Sequence, residues 1–334
     1  MLYNHIETSM SRKLFALSLT ATLMGGAAYA DTPQVAVDIA PVHSLVARVM
    51  DGIGKPDLII QPGASPHEYS LRPSEASALQ AADLVFWIGP DLTPWLTDTI
   101  GTLASDAVVT ELMEADGTIE LEFREGALFE AHDHDDHGDD DDHDDHGDDD
   151  DHDEAESGHE GHDHGAHDPH AWLSPKNAMN WLNVIAGQLS AVDPDNAGAY
   201  FANAAAGRTE IKTLIGEVTA TLDPVRGGQF IVFHDAYQYF EMDFDFPASG
   251  AISISDASDP SPARIAKIQA RIAEQGIDCV LAEPQFNPGL VATVLDGTDA
   301  QTGILDPLGS DLELGPAFYP QLIRNLSNVL ADCM

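Results

Sequence analysis

Basic residues are scarce in this sequence. Its 334 residues include only 14 Lys and Arg against 57 Asp and Glu, which gives a formal net charge of -43 at pH 7. Because proteins that bind nucleic acid present a basic surface to it, this balance excludes DNA and RNA as partners. The hydrophobic content of 43% is ordinary for a globular chain, so the acidity does not indicate global disorder. The length predicts two domains, at about 150 residues per domain.

Long apolar runs are also missing. The run Leu14–Met24 is too short to span a bilayer, and no later stretch reaches the ~20 apolar residues that a transmembrane helix requires. This run follows Arg12 and Lys13 and precedes Ala28-Tyr29-Ala30, which is the pattern of a cleaved signal peptide. We therefore expect residues 1–30 to be removed on export and the mature protein to be soluble. No cysteine lies near the cleavage site, so we expect no lipid anchor.

Only two cysteines are present, Cys279 and Cys333. An exported protein folds in an oxidising compartment, where two cysteines are expected to form a disulfide. The bond would close a loop of 54 residues and tie the strand at Cys279 to the C-terminal helix near Cys333. The alternative interpretation is two unrelated buried thiols.

Short β-rich runs alternate with helical patterns along the rest of the chain. The clearest strand-like runs are Val35–Ile39, Leu58–Ile60, Asp83–Ile88, Val108–Val109, Phe230–Phe233, Ala251–Ile254 and Asp278–Ala282. Such alternation predicts an α/β fold with parallel sheets, in two lobes. Ala197–Leu222 contains no proline and is rich in Ala, Glu, Thr and Leu, which predicts one long helix between the lobes. We therefore expect an N-terminal lobe over 31–196, a linking helix over 197–222 and a C-terminal lobe over 223–334.

Residues 132–167 form an acidic, histidine-rich tract. These 36 residues hold 10 His and 18 Asp or Glu, and Asp135–His143 is repeated without change as Asp144–His152. Because this composition cannot form a packed core, we expect a disordered loop. One interpretation is a solvated acidic insertion, but we favour a set of weak sites for divalent metals, because a merely solubilising tract has no need of histidine. The candidate ligands are His132, His134, His137, His143, His146, His152, His159, His162, His164 and His167.

Three of the five histidines outside the tract occupy positions where ligands bind. His67 lies in a loop after the Leu58–Ile60 run, His234 ends a predicted strand, and His170 precedes a helix that Ser174-Pro175 would begin. Ligands of open α/β sheets bind beyond the carboxyl ends of the strands, so these three residues are candidate ligands. A lone loop histidine is more often a bystander, and the spacing of the three does not decide the question.

Six segments of the chain resemble a known family. They are PVHSLVARVM, GASPHEYSLRPSEASALQAADLVFWIGP, DPHAWLSPKNA, FHDAYQYFE, AEPQF and GILDPLG, with the histidine-rich insertion before the third. In this order they closely resemble the periplasmic zinc-binding proteins of bacterial zinc ABC importers, over nearly the whole mature chain. The resemblance implies two (β/α)4-like lobes joined by a long backbone helix, with one zinc ion in the cleft. It implies that His67, His170 and His234 bind this ion, and it places Asp306 beside the fourth coordination position.

The implied ligand set is chemically suited to zinc. Imidazole nitrogens bind Zn²⁺ at about 2.0–2.1 Å, and a carboxylate or water completes a tetrahedron. Related manganese importers replace the third imidazole with a carboxylate, which matches the preference of Mn²⁺ for oxygen, so His234 favours zinc. Some zinc-binding members carry an acidic residue directly before the first ligand, where this chain has Pro66. The fourth ligand therefore stays open between Asp306 and water, with Glu68 a third choice.

The resemblance implies a periplasmic carrier that is not an enzyme. It would capture Zn²⁺ with high affinity and deliver it to the membrane permease of a zinc ABC importer. We expect a monomer, with an accessory periplasmic zinc protein as a further partner that the tract could dock. Two alternatives stay open, a carrier for manganese, iron or nickel and a periplasmic zinc buffer in which the tract is the main metal-binding element. A zinc hydrolase is disfavoured because the sequence has no HExxH helix. We also expect Arg72 and Glu283 to form an ion pair.

Overall fold

Two parallel β-sheets of four strands form the framework of the described residues, which are 1, 32–124, 129, 167–253 and 260–334 of a computed structural model. The first sheet contains β1 (Val35–Val37), β2 (Asp57–Leu58), β3 (Leu84–Trp87) and β4 (Val108–Glu111), in the spatial order β2-β1-β3-β4. The second contains β5 (Phe230–His234), β6 (Ala251–Ser253), β7 (Cys279–Ala282) and β8 (Gln301–Ile304), in the order β6-β5-β7-β8. The α/β fold with parallel sheets that the sequence predicts is therefore present.

In both sheets the order in which the chain adds strands reverses at the equivalent strand. The chain runs outward from β1 to β2 and then continues with β3 on the other side of β1, and the second sheet does the same around β5. Ligands of such sheets bind beyond the carboxyl ends of the strands that flank this switch point. His234 ends β5 and Glu283 follows β7, so the second sheet presents both residues at this position.

Nine helices accompany the strands in the described ranges. They are α1 (Ala40–Val49), α2 (Pro73–Ala81), α3 (Pro94–Leu103), α4 (Pro175–Val192), α5 (Ala197–Leu222), α6 (Gln238–Phe244), α7 (Pro262–Gln275), α8 (Pro288–Leu295) and α9 (Phe318–Cys333). Six of them, α1 to α4 with α7 and α8, carry proline at their first or second position, where its missing N–H costs no hydrogen bond. Ser174 and Ser261 begin α4 and α7 by accepting hydrogen bonds from backbone N–H groups.

The long helix α5 packs into a core that both sheets share. It contacts α1, α4 and α9, and buried residues along it, such as Ile211 and Leu222, belong to the main hydrophobic cluster. That cluster also contains Val37 of the first sheet and Leu281 of the second. A smaller cluster that includes Ile231 lies on the second sheet alone. The two sheets are therefore held together by common packing.

The division of the chain into lobes rests on this arrangement. We propose that 31–196 and 223–334 are the two lobes and that 197–222 links them. The predicted signal peptide, residues 1–30, lies outside the described residues apart from Met1. Within the described ranges, every helix is either too short or too polar to cross a membrane.

Hydrogen bonds tie the half before α5 to the half after it. The hydroxyl of Ser44 donates to the carbonyl of Gly315 at 2.8 Å and accepts the N–H of Tyr319 at 3.0 Å. The hydroxyl of Tyr319 donates to the carbonyl of Trp172 at 2.9 Å, and the Trp172 indole donates to the carbonyl of Pro307 at 2.9 Å. All of these side chains are buried, so the bonds are shielded from water.

The two cysteines form the expected disulfide. Cys279 of β7 and Cys333 of α9 are bonded, with their Cα atoms 5.8 Å apart. Both side chains are buried in the main core. The bond therefore ties the last helix to the strand that precedes Glu283.

Replacing both cysteines by alanine is expected to lower the free energy of unfolding by about 4 kcal/mol, because the unfolded chain regains the freedom that closing a 54-residue loop removes. Urea titration of the variant and of the wild type without reductant measures the difference. Wild-type protein unfolded with a thiol reductant is the control and is expected to match the variant. Equal values for the oxidised wild type and the variant would contradict the expectation.

Candidate metal centre

Two imidazoles face each other at the carboxyl end of β5. His234 is the last residue of this strand, and His170 immediately precedes a short 3-10 turn, Ala171–Leu173, that leads into α4. Their Nε2 atoms are 3.4 Å apart and their ring centroids 5.2 Å apart. Each residue is only 5% exposed. The second sheet and the segment before α4 thus bring one imidazole each to the same point.

A carboxylate lies behind each of these two rings. His170 Nδ1 is 2.7 Å from an oxygen of Asp168, and His234 Nδ1 is 2.7 Å from an oxygen of Glu283. Because an ionised carboxylate only accepts hydrogen bonds, it fixes the ring proton on Nδ1 and leaves a lone pair on Nε2. Histidines that bind metals are oriented in this way. The two Nε2 atoms that face each other are therefore prepared as metal ligands.

Burial acts on both carboxyl groups. It raises the pKa of Asp168 to about 7, and it also raises the pKa of Glu283. A cation bound in front of the imidazoles would favour the ionised carboxylates and oppose this shift. The pair of carboxylates and the pair of imidazoles are thus complementary to a positive charge between the rings.

The third candidate, His67, comes from the loop that follows β2. Its ring centroid lies 5.9 Å from that of His170. The Trp95 indole holds this loop by donating a hydrogen bond to the carbonyl of Pro66 at 2.9 Å, and Tyr69 packs on the same indole with ring centroids 5.8 Å apart. The loop is therefore anchored to α3, directly next to the imidazole it carries.

The three imidazoles line one small pocket. The lining residues are Ser65, Pro66, His67, His170, Trp172, His234, Glu283, Gln285, Phe286, Pro307 and Leu308. The pocket has a volume of about 20 Å³, whereas pockets for organic ligands measure about 300–1,000 Å³. It has room for an ion or a water molecule but not for an amino acid or a sugar.

The geometry can be compared with that of a tetrahedral zinc site. Two imidazoles bound through nitrogen at about 2.0–2.1 Å have nitrogens about 3.3–3.4 Å apart and ring centroids about 5 Å apart. The distances between His170 and His234 match both values. The 5.9 Å between His67 and His170 is longer. Accordingly, no three His, Cys, Asp or Glu side chains of the described residues form a closed metal cluster. The His67 ring is therefore farther from His170 than two ligands of a closed tetrahedral site are from each other.

Asp306 has a different set of contacts. One carboxylate oxygen accepts the N–H groups of Leu308 and Gly309 at 3.0 Å each, and the other accepts the N–H and the hydroxyl of Ser310 at 2.6 Å each. These bonds close the turn that follows Asp306. The residue is not among those that line the pocket, and Glu68 is exposed. A role for either as a zinc ligand stays a prediction.

Sequence reasoning missed the two carboxylates behind the imidazoles. The expected ion pair between Arg72 and Glu283 is wrong: Arg72 is 64% exposed and lies 3.9 Å from Glu75, whereas Glu283 faces His234. The contact between Glu283 and His234 could have been predicted from the positions of the two residues on neighbouring strands. Glu283 follows β7, the strand that pairs with β5, so it had to lie beside the residue that ends β5.

A partly buried arginine lies next to this site. Arg124 donates hydrogen bonds to Asp235, the residue after His234, and to Glu241 of α6 at 2.8 and 3.0 Å. The ring of Phe129 covers its guanidinium at 3.6 Å. Burial raises the pKa of Asp235 and of Glu241, and the charge of Arg124 opposes this shift. Arg124 therefore neutralises two carboxylates that would otherwise be buried unpaired.

Two described segments that flank the histidine-rich tract lie side by side next to the pocket. Glu122, ten residues before the tract, and His167, its last residue, form an antiparallel bridge, and the N–H of Asp168 donates to the carbonyl of Leu121 at 2.8 Å. The Tyr239 hydroxyl accepts the N–H of Leu121 and donates to the carbonyl of Asp168. Of the ten predicted weak-site histidines, His132–His164 lie outside the described residues. His167 is described, with its Nε2 3.8 Å from a carboxylate oxygen of Glu120.

Comparison with known proteins gives one consistent result. Residues 35–333 match the family described as zinc-uptake complex component A, periplasmic. The high-affinity zinc uptake system protein ZnuA of Brucella abortus is 47% identical over 323 residues, covering 96% of this chain and 97% of its own. The protein of the same name from Paracoccus denitrificans is 41% identical over 308 residues, covering 92% and 93%. A zinc-bound 138–173 deletion mutant of ZnuA has a similar fold, with a TM-score of 0.70, 22% identity and coverage of 91% and 98%.

Replacing Arg124 by methionine is expected to lower the free energy of unfolding by about 3–5 kcal/mol at pH 7, because Asp235 and Glu241 are left as buried, unpaired carboxylates. Their folded-state pKa values are raised, so both take up protons as the pH falls and the deficit shrinks. Urea titrations between pH 4 and pH 8 measure this trend.

Arg324→Met is the matched control, because Arg324 pairs with Glu217 at the surface at 2.7 Å. Its loss is expected to stay within about 1 kcal/mol. An Arg124→Met deficit no larger than this, or one that does not change with pH, would show that the buried cluster is not needed for stability.

Proposed function

Because the chain belongs to the family of periplasmic zinc-uptake complex components, we propose that it is the zinc-binding component of a zinc ABC importer. It captures Zn²⁺ in the pocket between the imidazoles and delivers it to the membrane permease. Zinc is cargo in this function, so no catalysis is required and the protein is not an enzyme. The observation that carries the proposal is the pair of Nε2 atoms 3.4 Å apart, each prepared by a carboxylate.

In this proposal the zinc ligands are His67, His170 and His234. His170 and His234 already have the spacing of two ligands of a tetrahedral site, and His67 closes on the ion from its loop. The fourth position is taken by Asp306 or by a water molecule. The imidazoles must be neutral to bind, so zinc binding weakens as the pH falls and zinc uptake releases protons.

The pocket favours zinc over other cargo. Its volume of about 20 Å³ leaves no room for an organic solute. Three imidazoles suit zinc better than manganese, which prefers oxygen ligands. The carboxylates of Asp168 and Glu283 are turned to the rings and so act on the metal through them.

The histidine-rich tract gives this carrier additional, weaker zinc sites. Its last histidine, His167, is three residues before His170, and the bridge to Glu122 holds this end beside the pocket. Zinc collected by the tract is therefore released close to the tight site. Residues 1–30 act as the signal peptide, and the mature chain works in the periplasm as a monomer without a lipid anchor. An accessory periplasmic zinc protein docks on the tract.

Zinc titration against a competing chelator tests this function. The mature wild type and its His234→Ala variant are compared, each with the tract present and with residues 132–166 deleted. We expect one tight zinc per chain in both wild-type forms, no displacement by excess manganese, and loss of the tight site in both His234→Ala forms. His167→Ala removes a histidine outside the pocket and is expected to keep the tight site.

The opposite pattern of zinc binding would indicate a different function. If the deletion removes tight zinc binding and His234→Ala leaves it unchanged, the tract is the metal-binding element and the protein is a zinc buffer. If manganese displaces the tight zinc, the cargo is another divalent metal.

Replacing Glu283 by glutamine is expected to weaken zinc binding by about 10–100-fold, because the neutral amide no longer stabilises the His234 ring as the carboxylate does. The same competition titration measures the affinity. Glu210→Gln is the control, since Glu210 pairs with Arg48 at the surface. An unchanged affinity in Glu283→Gln would mean that His234 does not depend on this carboxylate for zinc binding.

A further inference from the structure

One glutamine lines the metal pocket with an unused hydrogen-bond acceptor. Gln285 lies in the segment that follows β7, two residues after Glu283, and it contributes to the pocket wall. Its Nε2 donates a hydrogen bond to a carboxylate oxygen of Asp306 at 3.4 Å. Its Oε1 is buried and accepts no hydrogen bond from any described residue. A buried acceptor without a donor is unfavourable, so this atom points to a ligand that supplies one.

The orientation of this amide is determined by its neighbour. A carboxylate has no proton to donate when it is ionised, so only the NH2 group of Gln285 is compatible with Asp306. Turning the amide over would place two acceptors against each other. Asp306 itself is held by the four hydrogen bonds from the turn 308–310, so the acceptor that faces the Gln285 NH2 group is fixed in place.

The hydrogen-bond donors of the neighbouring side chains already have other acceptors, so they are not available to Gln285 Oε1. The Nδ1 protons of His170 and His234 are directed to Asp168 and Glu283. The Trp172 indole donates to the carbonyl of Pro307 at 2.9 Å. A water molecule bound to zinc is a strong donor, because the metal withdraws electron density from it and lowers its pKa.

Direct binding of Asp306 to zinc would have a cost that a water ligand avoids. Both carboxylate oxygens of Asp306 accept two hydrogen bonds from the turn that follows it, in addition to the contact with Gln285. To bind the metal, at least one oxygen would have to leave these donors unpaired. A water molecule fills the fourth position without disturbing the turn.

From these contacts we propose that the fourth ligand of the bound zinc is a water molecule, and that Gln285 is the positioning residue that accepts its hydrogen bond through Oε1. Asp306 acts on the metal only by orienting Gln285. This inference rests on the proposed function, since it requires zinc bound by His67, His170 and His234. It gives the carrier one exchangeable ligand, so transfer of zinc to an acceptor begins at the water position while all three imidazole bonds are intact.

The test compares Gln285→Met with the matched control Gln238→Met in the full mature chain. Gln238 also has an Oε1 without a partner in the described part of the chain, but it lies in α6 and does not line the pocket. Zinc affinity is measured against a competing chelator. One equivalent of Co²⁺, used as a spectroscopic probe, reports through its visible absorption the coordination number and the pH at which a bound water loses a proton. Thermal unfolding without metal checks that each variant is folded.

If Gln285 holds the water, Gln285→Met binds zinc about 10-fold more weakly than the wild type. Its cobalt spectrum stays four-coordinate, but the pH of the spectral change moves downward, because the acceptor that stabilises the protonated form of the bound water is lost. Gln238→Met shows neither effect. Asp306→Asn weakens zinc binding no more than Gln285→Met does and keeps a water that titrates.

Two results would overturn the inference. The first is a Gln285→Met variant with the affinity and the cobalt pH profile of the wild type. The second is a wild-type cobalt spectrum with no titrating water, together with loss of tight zinc in Asp306→Asn, which would make Asp306 the fourth ligand. Failure of the proposed function would be recognised by a different result, because the wild type would then bind zinc no more tightly than the His234→Ala variant.

Discussion

Two imidazole nitrogens that face each other across 3.4 Å repel through their lone pairs unless a proton or a metal ion lies between them. The structure has to hold them at this distance. Glu283 fixes one ring from the neighbouring strand, and Asp168 fixes the other from two residues along the chain. One ring lies before α5 and the other after it. The spacing therefore depends on the shared hydrophobic core and on the hydrogen bonds of Ser44 and Trp172 that join the two halves.

The three imidazoles differ in how closely they match the spacing of a tetrahedral metal site. The pair His170 and His234 already has this spacing, and both rings are buried and have fixed partners. His67 belongs to a loop whose ring is farther from His170 than a closed tetrahedral site requires. In the proposed function, a small shift of this loop brings His67 to the metal that His170 and His234 bind. Preorganised ligands increase affinity because little order remains to be imposed on binding.

The sequence predicted the framework better than the contacts within it. The long helix over Ala197–Leu222 could be predicted because its sequence contains no proline. The disulfide could be predicted because the chain contains only two cysteines. Strand β8 was not predicted, since Gln301–Ile304 is largely exposed and has no apolar run. The carboxylate Glu283 was given the wrong partner because its contact with His234 spans 49 residues and follows from the pairing of strands rather than from any pattern in the chain. Similarly, the resemblance places Asp306 beside the fourth coordination position, but its hydrogen bonds to residues 308–310 follow from the folded turn and could not be weighed against metal binding from the sequence.

The bridge between Glu122 and His167 has a consequence for protein engineering. Glu122 and His167 are adjacent in the fold, and Tyr239 holds the two segments together by bonding to Leu121 and to Asp168. A longer or shorter insert would meet nearly the same anchor points, and doubling the length of a flexible loop costs only about 0.6 kcal/mol in closure entropy. A fluorescent reporter whose own termini lie close together could take the place of the tract, one short step along the chain from His170. Closure of the site on its cargo would then be converted into an optical signal.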